Sequence, residues 1–151
     1  MKSISGIEEM KQYLGKEIGV TDWFEITQER VNAFAEVTGD PQWIHVDVER
    51  ARRETPFGGT IAHGYLTLSL ASKFSREVYE LEGVKMRINY GLNKVRFPAP
   101  VPVGSRIRMH LVLKELEEVQ GGAKAVMLLT FEREGHDKPV CVAESIALWY
   151  V

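Results

Sequence analysis

The spacing of apolar side chains changes rhythm near Gly83, dividing the chain into a helical first part and an extended second part. Before that point apolar residues recur three and four positions apart, as on one face of a helix. SGIEEMKQYL, residues 5–14, predicts a short helix with Ser5 and Glu8 as a capping box and Gly15 as the stop. Its apolar face would be Ile7, Met10, Tyr13 and Leu14. Residues 18–26 predict a modest strand. Thr27 is placed to cap a helix that buries Val31, Phe34, Ala35 and Val37, and Gly39, Asp40 and Pro41 end it in a loop. Asp47 can cap a further short helix reaching Arg53, before the turn-rich TPFGG.

The strongest helix pattern is Gly64–Tyr79, GYLTLSLASKFSREVY. Leu66, Leu70, Phe74 and Val78 run down one side, with Leu68 and Ala71 broadening it. Its first three turns carry almost no charge, which predicts burial on most sides. Beyond Gly83 the period falls to two, and residues 84–97, 105–117, 123–134 and 140–151 read as strands. RIRMHLVL is the clearest, alternating Ile107, Met109, Leu111 and Leu113 with more polar neighbours. The breaks are PAPVPVG, the Gly121-Gly122 pair and GHDKP. An antiparallel sheet must bury its apolar face, and the long helix is its natural partner, so the pattern gives an α+β fold. A dinucleotide-binding unit is disfavoured, because no glycine fingerprint follows a strand.

Composition narrows the partners. A chain of 151 residues reads as one domain, 1–151, able to bury a core without disulfides or metal. The net charge of −2, with both signs interspersed, argues against a nucleic-acid or anionic-membrane surface. The single cysteine, Cys141, reads as a small buried hydrophobe. The opening MKSISGIEEM lacks the apolar core of a signal peptide, and no run approaches the length of a membrane span, so the expected compartment is the cytoplasm.

Two stretches carry candidate chemistry. In GDPQWIHVD, residues 39–47, Asp40 and His45 lie five positions apart in a segment that reads as irregular. Such a pair can hold one water from two directions, the imidazole taking a proton while the carboxyl group relays one. Equally, Asp40 can brace the turn and His45 can be a surface polar residue. Trp43 and Ile44 between them can dry a site or anchor the loop. In TIAHGYLTLSLAS, residues 60–72, Gly64 opens the long helix, where free N–H groups meet a close backbone approach. That suits polarisation of a carbonyl oxygen, although an ordinary helix start has the same form. His63 reads as structural, its ring nitrogens satisfied by backbone groups, and Ser72 on its own reads as packing. No serine sits in a GxSxG elbow, and the four histidines show no HExxH or His-x-His spacing. His110 and His136 read as structural or solvated.

Taken in order, FAEVTGDPQWIHVD and PFGGTIAHGYLTLSLAS resemble the MaoC-like dehydratases, the (R)-specific enoyl-CoA hydratase branch of the hotdog superfamily, and nodulation-protein-N-like members among them. The resemblance covers about residues 27–110. It implies a hotdog fold, a long helix wrapped by a curved antiparallel sheet. It implies Asp40 and His45 as the acid–histidine pair, Gly64 as the backbone oxyanion donor and Ser72 as the supporting serine. It further implies an acyl-CoA substrate, no metal or redox cofactor, and a homodimer with acyl groups bound near the interface. The expected reaction is reversible hydration of trans-2-enoyl-CoA to (R)-3-hydroxyacyl-CoA. An acyl-CoA thioesterase and a non-catalytic acyl-thioester binding module are the alternatives. The chain departs from the family's motif at Gln42-Trp43, where Asn-Pro is usual, a change that bears on acyl-chain preference.

Overall fold

A computed structural model describes residues 1–151. Four long strands fill the second part: β5 (Met86–Arg96), β6 (Arg106–Val119), β7 (Gly122–Arg133) and β8 (Cys141–Tyr150). They pair antiparallel in the order β6-β7-β8-β5. The free edge of β6 takes two short early strands, β2 (Glu17–Val20) and β3 (Phe24–Glu25), which complete a six-stranded sheet. The strand expected over 18–26 is thus two pieces, separated where Thr21 turns inward and its Oγ1 accepts the Met109 N–H at 2.9 Å. A parallel pair of β1 (Lys2–Ile4) and β4 (Tyr79–Leu81) forms a separate two-stranded sheet that the spacing did not announce.

Alternation decides which face meets the core. Ile107, Met109, Leu111 and Leu113 of β6 and Ala123, Ala125, Met127, Leu129 and Phe131 of β7 are buried and share one cluster. Against them lie α5 (Gly64–Ser69) and α6 (Ala71–Val78), joined at Leu70, which supply Leu66, Leu70, Phe74 and Val78. Each such side chain contributes about 1.5–3 kcal/mol on burial. The expected stripe is therefore real, but the helix loosens at Leu70, whose N–H is shared between the Leu66 and Thr67 carbonyls. The helix stops at Val78, and Tyr79 already belongs to β4. Ring packing of Phe74 on Phe24 and Phe131, at centroid distances of 5.6 and 6.1 Å, ties helix to sheet. A helix wrapped by a curved antiparallel sheet is the hotdog arrangement.

The first part departs from expectation in details. The helix begun at Gly6 is α1 (Gly6–Met10) followed by a 3₁₀ turn, Lys11–Tyr13. Its capping box does not form: Ser5 makes no side-chain cap, and Glu9, not Glu8, reaches back to the Ser5 N–H at 2.6 Å. Met10 is buried, whereas Leu14 is half exposed. In α2 (Gln28–Thr38) Thr27 Oγ1 accepts the Arg30 N–H, and Val31 and Ala35 are buried, but Val37 is 83% exposed. Gly39 ends α2 in a left-handed conformation, φ +71°, which glycine adopts without Cβ strain. Residues 43–46, expected to be irregular, form one helical turn, α3 (Trp43–Val46). Asp47 then caps α4 (Val48–Glu54) by accepting the Arg50 N–H. No helix is long and apolar enough to cross a membrane.

Candidate active site

Asp40 leaves the left-handed turn with both backbone groups engaged. Its N–H donates to the Ala35 carbonyl at 3.0 Å, and its carbonyl accepts from His63 Nε2 at 3.0 Å. The carboxylate itself is 54% exposed. α3 carries His45 inward to 7% exposure. There Nδ1–H donates to the Ile61 carbonyl at 2.7 Å, because a carbonyl can only accept, which leaves Nε2 with its lone pair in the neutral ring. Ile61 in turn donates its N–H to the Ile44 carbonyl at 3.0 Å, so one strap of chain grips α3 from side chain and backbone. Gln28 of α2 braces the other side, donating to the His45 carbonyl at 2.7 Å while its own oxygen accepts from Thr60 Oγ1.

The rings of His45 and His63 stack, with centroids 3.8 Å apart and planes inclined by 25°. A carboxylate oxygen of Asp40 and a ring nitrogen of each histidine lie within 4.8 Å of one another. Burial pushes the His45 imidazole below its ordinary value. The Ile61 hydrogen bond and Asp40 oppose this, and His63 adds to it. The result is an imidazole held toward its uncharged form near a solvent-facing carboxylate. These three residues are also those that could ligate a metal. Stacked rings, however, direct their in-plane lone pairs side by side rather than at one point, and one nitrogen of each ring is engaged on a backbone carbonyl. The geometry suits a water better than a tetrahedral ion.

Next to His63, Gly64 is the first residue of α5, where its N–H has no intrahelical acceptor. A Cβ at Gly64 would stand 3.1 Å from the ring of Phe97, so the residue leaves room for that ring to lie close over the helix start. Tyr65 meets Phe97 edge-on at 6.1 Å, and both are exposed.

The structure brings together Asp40 and His45 and sets Gly64 one residue from their neighbour His63. Ser72 lies elsewhere in the chain, on α6, about 12 Å along the helix from Gly64. Its Oγ accepts from Asn89 Nδ2 at 3.3 Å and lines a cavity of about 530 Å³ between the central helix and β5, β7 and β8. Leu68, Leu92, Met127 and Trp149 give that cavity its apolar walls, Arg76 and Arg87 its charge, and none of Asp40, His45 or Gly64 lines it. At Gln42-Trp43 the backbone is undisturbed, because Trp43 is the first residue of α3, a position proline also accepts. Its ring is half buried under the Arg50 guanidinium, 4.1 Å away. His63, Gln28 and Thr60 were not singled out as site residues by the sequence. Only the His63-Gly64 dipeptide at a helix start hinted at the first, and no spacing signals the other two.

The fold and this junction define an α+β hotdog protein with an acid–histidine site at the start of its central helix. The family described as MaoC like domain matches residues 9–132, and the chain belongs to it. It is 52% identical over 147 residues to 3-hydroxyacyl-thioester dehydratase Z of Mycobacterium tuberculosis, covering 97% of each chain. It is 41% identical over 138 residues to nodulation protein N of Rhizobium leguminosarum bv. viciae, covering 89% of this chain and 85% of that one. Among solved structures it matches the (R)-hydratase from A. caviae involved in PHA biosynthesis with a TM-score of 0.73 and 25% identity, over 89% of this chain and 94% of that one.

Proposed function

We propose that the protein catalyses the reversible hydration of trans-2-enoyl-CoA thioesters to (R)-3-hydroxyacyl-CoA, as an enzyme of the hydratase/dehydratase class. The observation that carries the reading is His45: a buried imidazole held toward its uncharged form, with one nitrogen tied to Ile61 and the ring clustered with Asp40. Relatives named as a 3-hydroxyacyl-thioester dehydratase and an (R)-hydratase support the substrate class and the configuration.

Water held between Asp40 and His45 loses a proton to His45 Nε2 as its oxygen bonds to C3. The C2=C3 electron pair moves toward the thioester oxygen, which the Gly64 N–H holds as it gains charge. Asp40 orients the water, receives through the pair the proton that His45 took and passes it to C2 on the same face. The H and OH of one water are thus added across the double bond, and both groups return to their starting forms. The acid and base act as a coupled pair, and dehydration is the same path reversed. Ser72, about 12 Å along the helix from Gly64, lies too far from the held thioester oxygen to touch it and has no part in these steps.

The working unit is a dimer in this reading. β5 is a sheet edge of 11 residues paired only with β8, and Met86, Ile88, Tyr90 and Leu92 along it are exposed. An unpaired edge with apolar side chains invites a second copy, which would continue the sheet and cover the cavity beside Ser72.

A panel of enoyl-CoA substrates of increasing length tests the activity, with enoyl absorbance, thiol release and product configuration read together. Loss of absorbance without thiol, giving the (R) product, is the expected result. Thiol release in step with absorbance would instead make the protein a thioesterase, and binding without turnover would make it an acyl-thioester binding module.

A further inference from the structure

We infer that His63 is a positioning residue that sets the reactive geometry: its Nε2–H fixes the Asp40 backbone while its ring seats His45. The inference rests on the hydratase reading above and concerns how that site is held together.

Four contacts of one residue converge here. His63 Nε2 lies 3.0 Å from the Asp40 carbonyl oxygen and 3.9 Å from its carboxylate Oδ2. The carbonyl can only accept, so Nε2 carries the hydrogen. One ring face stacks on His45 at 3.8 Å, and Phe34 of α2 packs on the ring at 4.9 Å. The next residue is Gly64, first in α5, whose N–H is the oxyanion donor in the proposed mechanism. His63 therefore joins the loop bearing the acid, the turn bearing the base and the helix bearing the donor, at 3% exposure.

Gln28 of α2 also ties the His45 carbonyl to Thr60, but no side-chain hydrogen bond other than that of His63 reaches Asp40. The Asp40 carboxylate is exposed and its other backbone bond leads back only to Ala35 of α2, so it can drift relative to α3. The Ile61 strap holds His45 and forms no hydrogen bond to Asp40. A core histidine serving packing alone would not aim its hydrogen at the residue that carries the acid. His63 Nδ1 and Thr67 Oγ1, one helical turn apart, are the two buried side-chain polar atoms without a partner. A ring kept for its hydrogen bonds elsewhere in the core would not leave one nitrogen idle. What it gains from its orientation is the Asp40 contact and the His45 stack.

The test compares His63→Phe, His63→Gln and His63→Asn with the parent on crotonyl-CoA. Phenylalanine keeps a flat ring on His45 and has no donor, glutamine can place an amide N–H near the position of Nε2, and asparagine is too short to reach it. A misplacement of about 1 Å costs roughly a hundredfold in rate. The expected result is a kcat lower by about that factor in His63→Phe and His63→Asn, with KM little changed, and substantial recovery in His63→Gln. If His63→Phe does not fold, the glutamine and asparagine variants are compared at matched melting temperature. Variants within twofold of the parent, or equal losses in the glutamine and asparagine variants, would overturn the inference. A readout independent of turnover is the ¹⁵N NMR tautomer of His63 in the parent. An Nε2–H ring supports the inference and an Nδ1–H ring overturns it. A parent that hydrates no enoyl thioester while His63 is in the Nε2–H form would remove the hydratase reading and leave the scaffold role standing.

Discussion

Histidine occurs in two contrasting settings in this chain. His45 and His63 are buried, stacked on one another and bonded to backbone carbonyls, and no carboxylate oxygen accepts a hydrogen bond from either. His110 lies on the face of β6 that turns away from the core, between Glu17 of β2 and Glu132 of β7, donating to each at 3.0 and 2.9 Å. Desolvation pulls its imidazole down, but the two carboxylates outweigh that and hold it above its ordinary value. Arg108 shares Glu132, so the site is a charged strut across three strands. Histidine is held toward the uncharged form at position 45, where the proposed mechanism has it accept a proton, and toward the charged form at position 110, where it bridges carboxylates. The difference lies in what each ring nitrogen faces.

Breaking the buried pair should give the largest effect. Asp40→Asn and His45→Gln should each keep the fold and lose roughly 10²–10⁴-fold in hydration rate. Near-parental rates in either, on a substrate the parent hydrates well, would remove the assignment. Gly64→Pro comes next. Proline is tolerated at the first position of a helix, and His63 already has the φ −60°, ψ 137° backbone that precedes proline comfortably. The Phe97 ring must give slightly, but the chief loss is one oxyanion donor, about a hundredfold in kcat. An unchanged kcat in a folded Gly64→Pro protein would show that the amide does not touch the reacting carbonyl.

The pH dependence sharpens the contrast further. The base must be uncharged, and burial depresses His45, so the acid limb of kcat/KM should fall below the ordinary imidazole value of 6.5. A limb above that value would mean another group carries the base role. The smallest effect belongs to the strut. His110→Gln should leave turnover unchanged and cost less than about 1 kcal/mol of stability, because the site is partly solvated. The sign follows from the raised value: the native protein binds the proton more tightly than the unfolded chain, so the stabilisation is full below the unfolded value and fades as pH rises through the native one. Thermal melts of parent and variant should therefore differ in acid and converge at alkaline pH. A difference that grows with pH would contradict the strut.

Much of the fold was legible because burial imposes period on sequence. The inward residues of β6 and the Leu66–Val78 stripe sit where alternation and helical spacing put them. What escaped was set by tertiary contact. Glu9, not Glu8, caps α1 because Ser5 is drawn toward Glu82. Val37 points to solvent because α2 buries only a narrow side. At the site, resemblance supplied Asp40, His45, Gly64 and Ser72, whereas spacing alone left the first pair open. His63, Gln28 and Thr60 act through backbone carbonyls and one another across 17 to 32 positions of sequence, and local pattern carries no trace of such bonds. Cys141 was legible for the simplest reason: it is fully buried, and burial pushes its thiol up to about 12.

The left-handed turn at Gly39 has an evolutionary corollary. Its positive φ swings the chain so that the very next residue presents its carboxylate to solvent. A β-branched residue at that one codon would resist the swing and turn the acid aside, while leaving the cavity, the sheet and the histidines in place. A single mutational step at this codon would thus separate the acid from the histidines that the fold sets beside it.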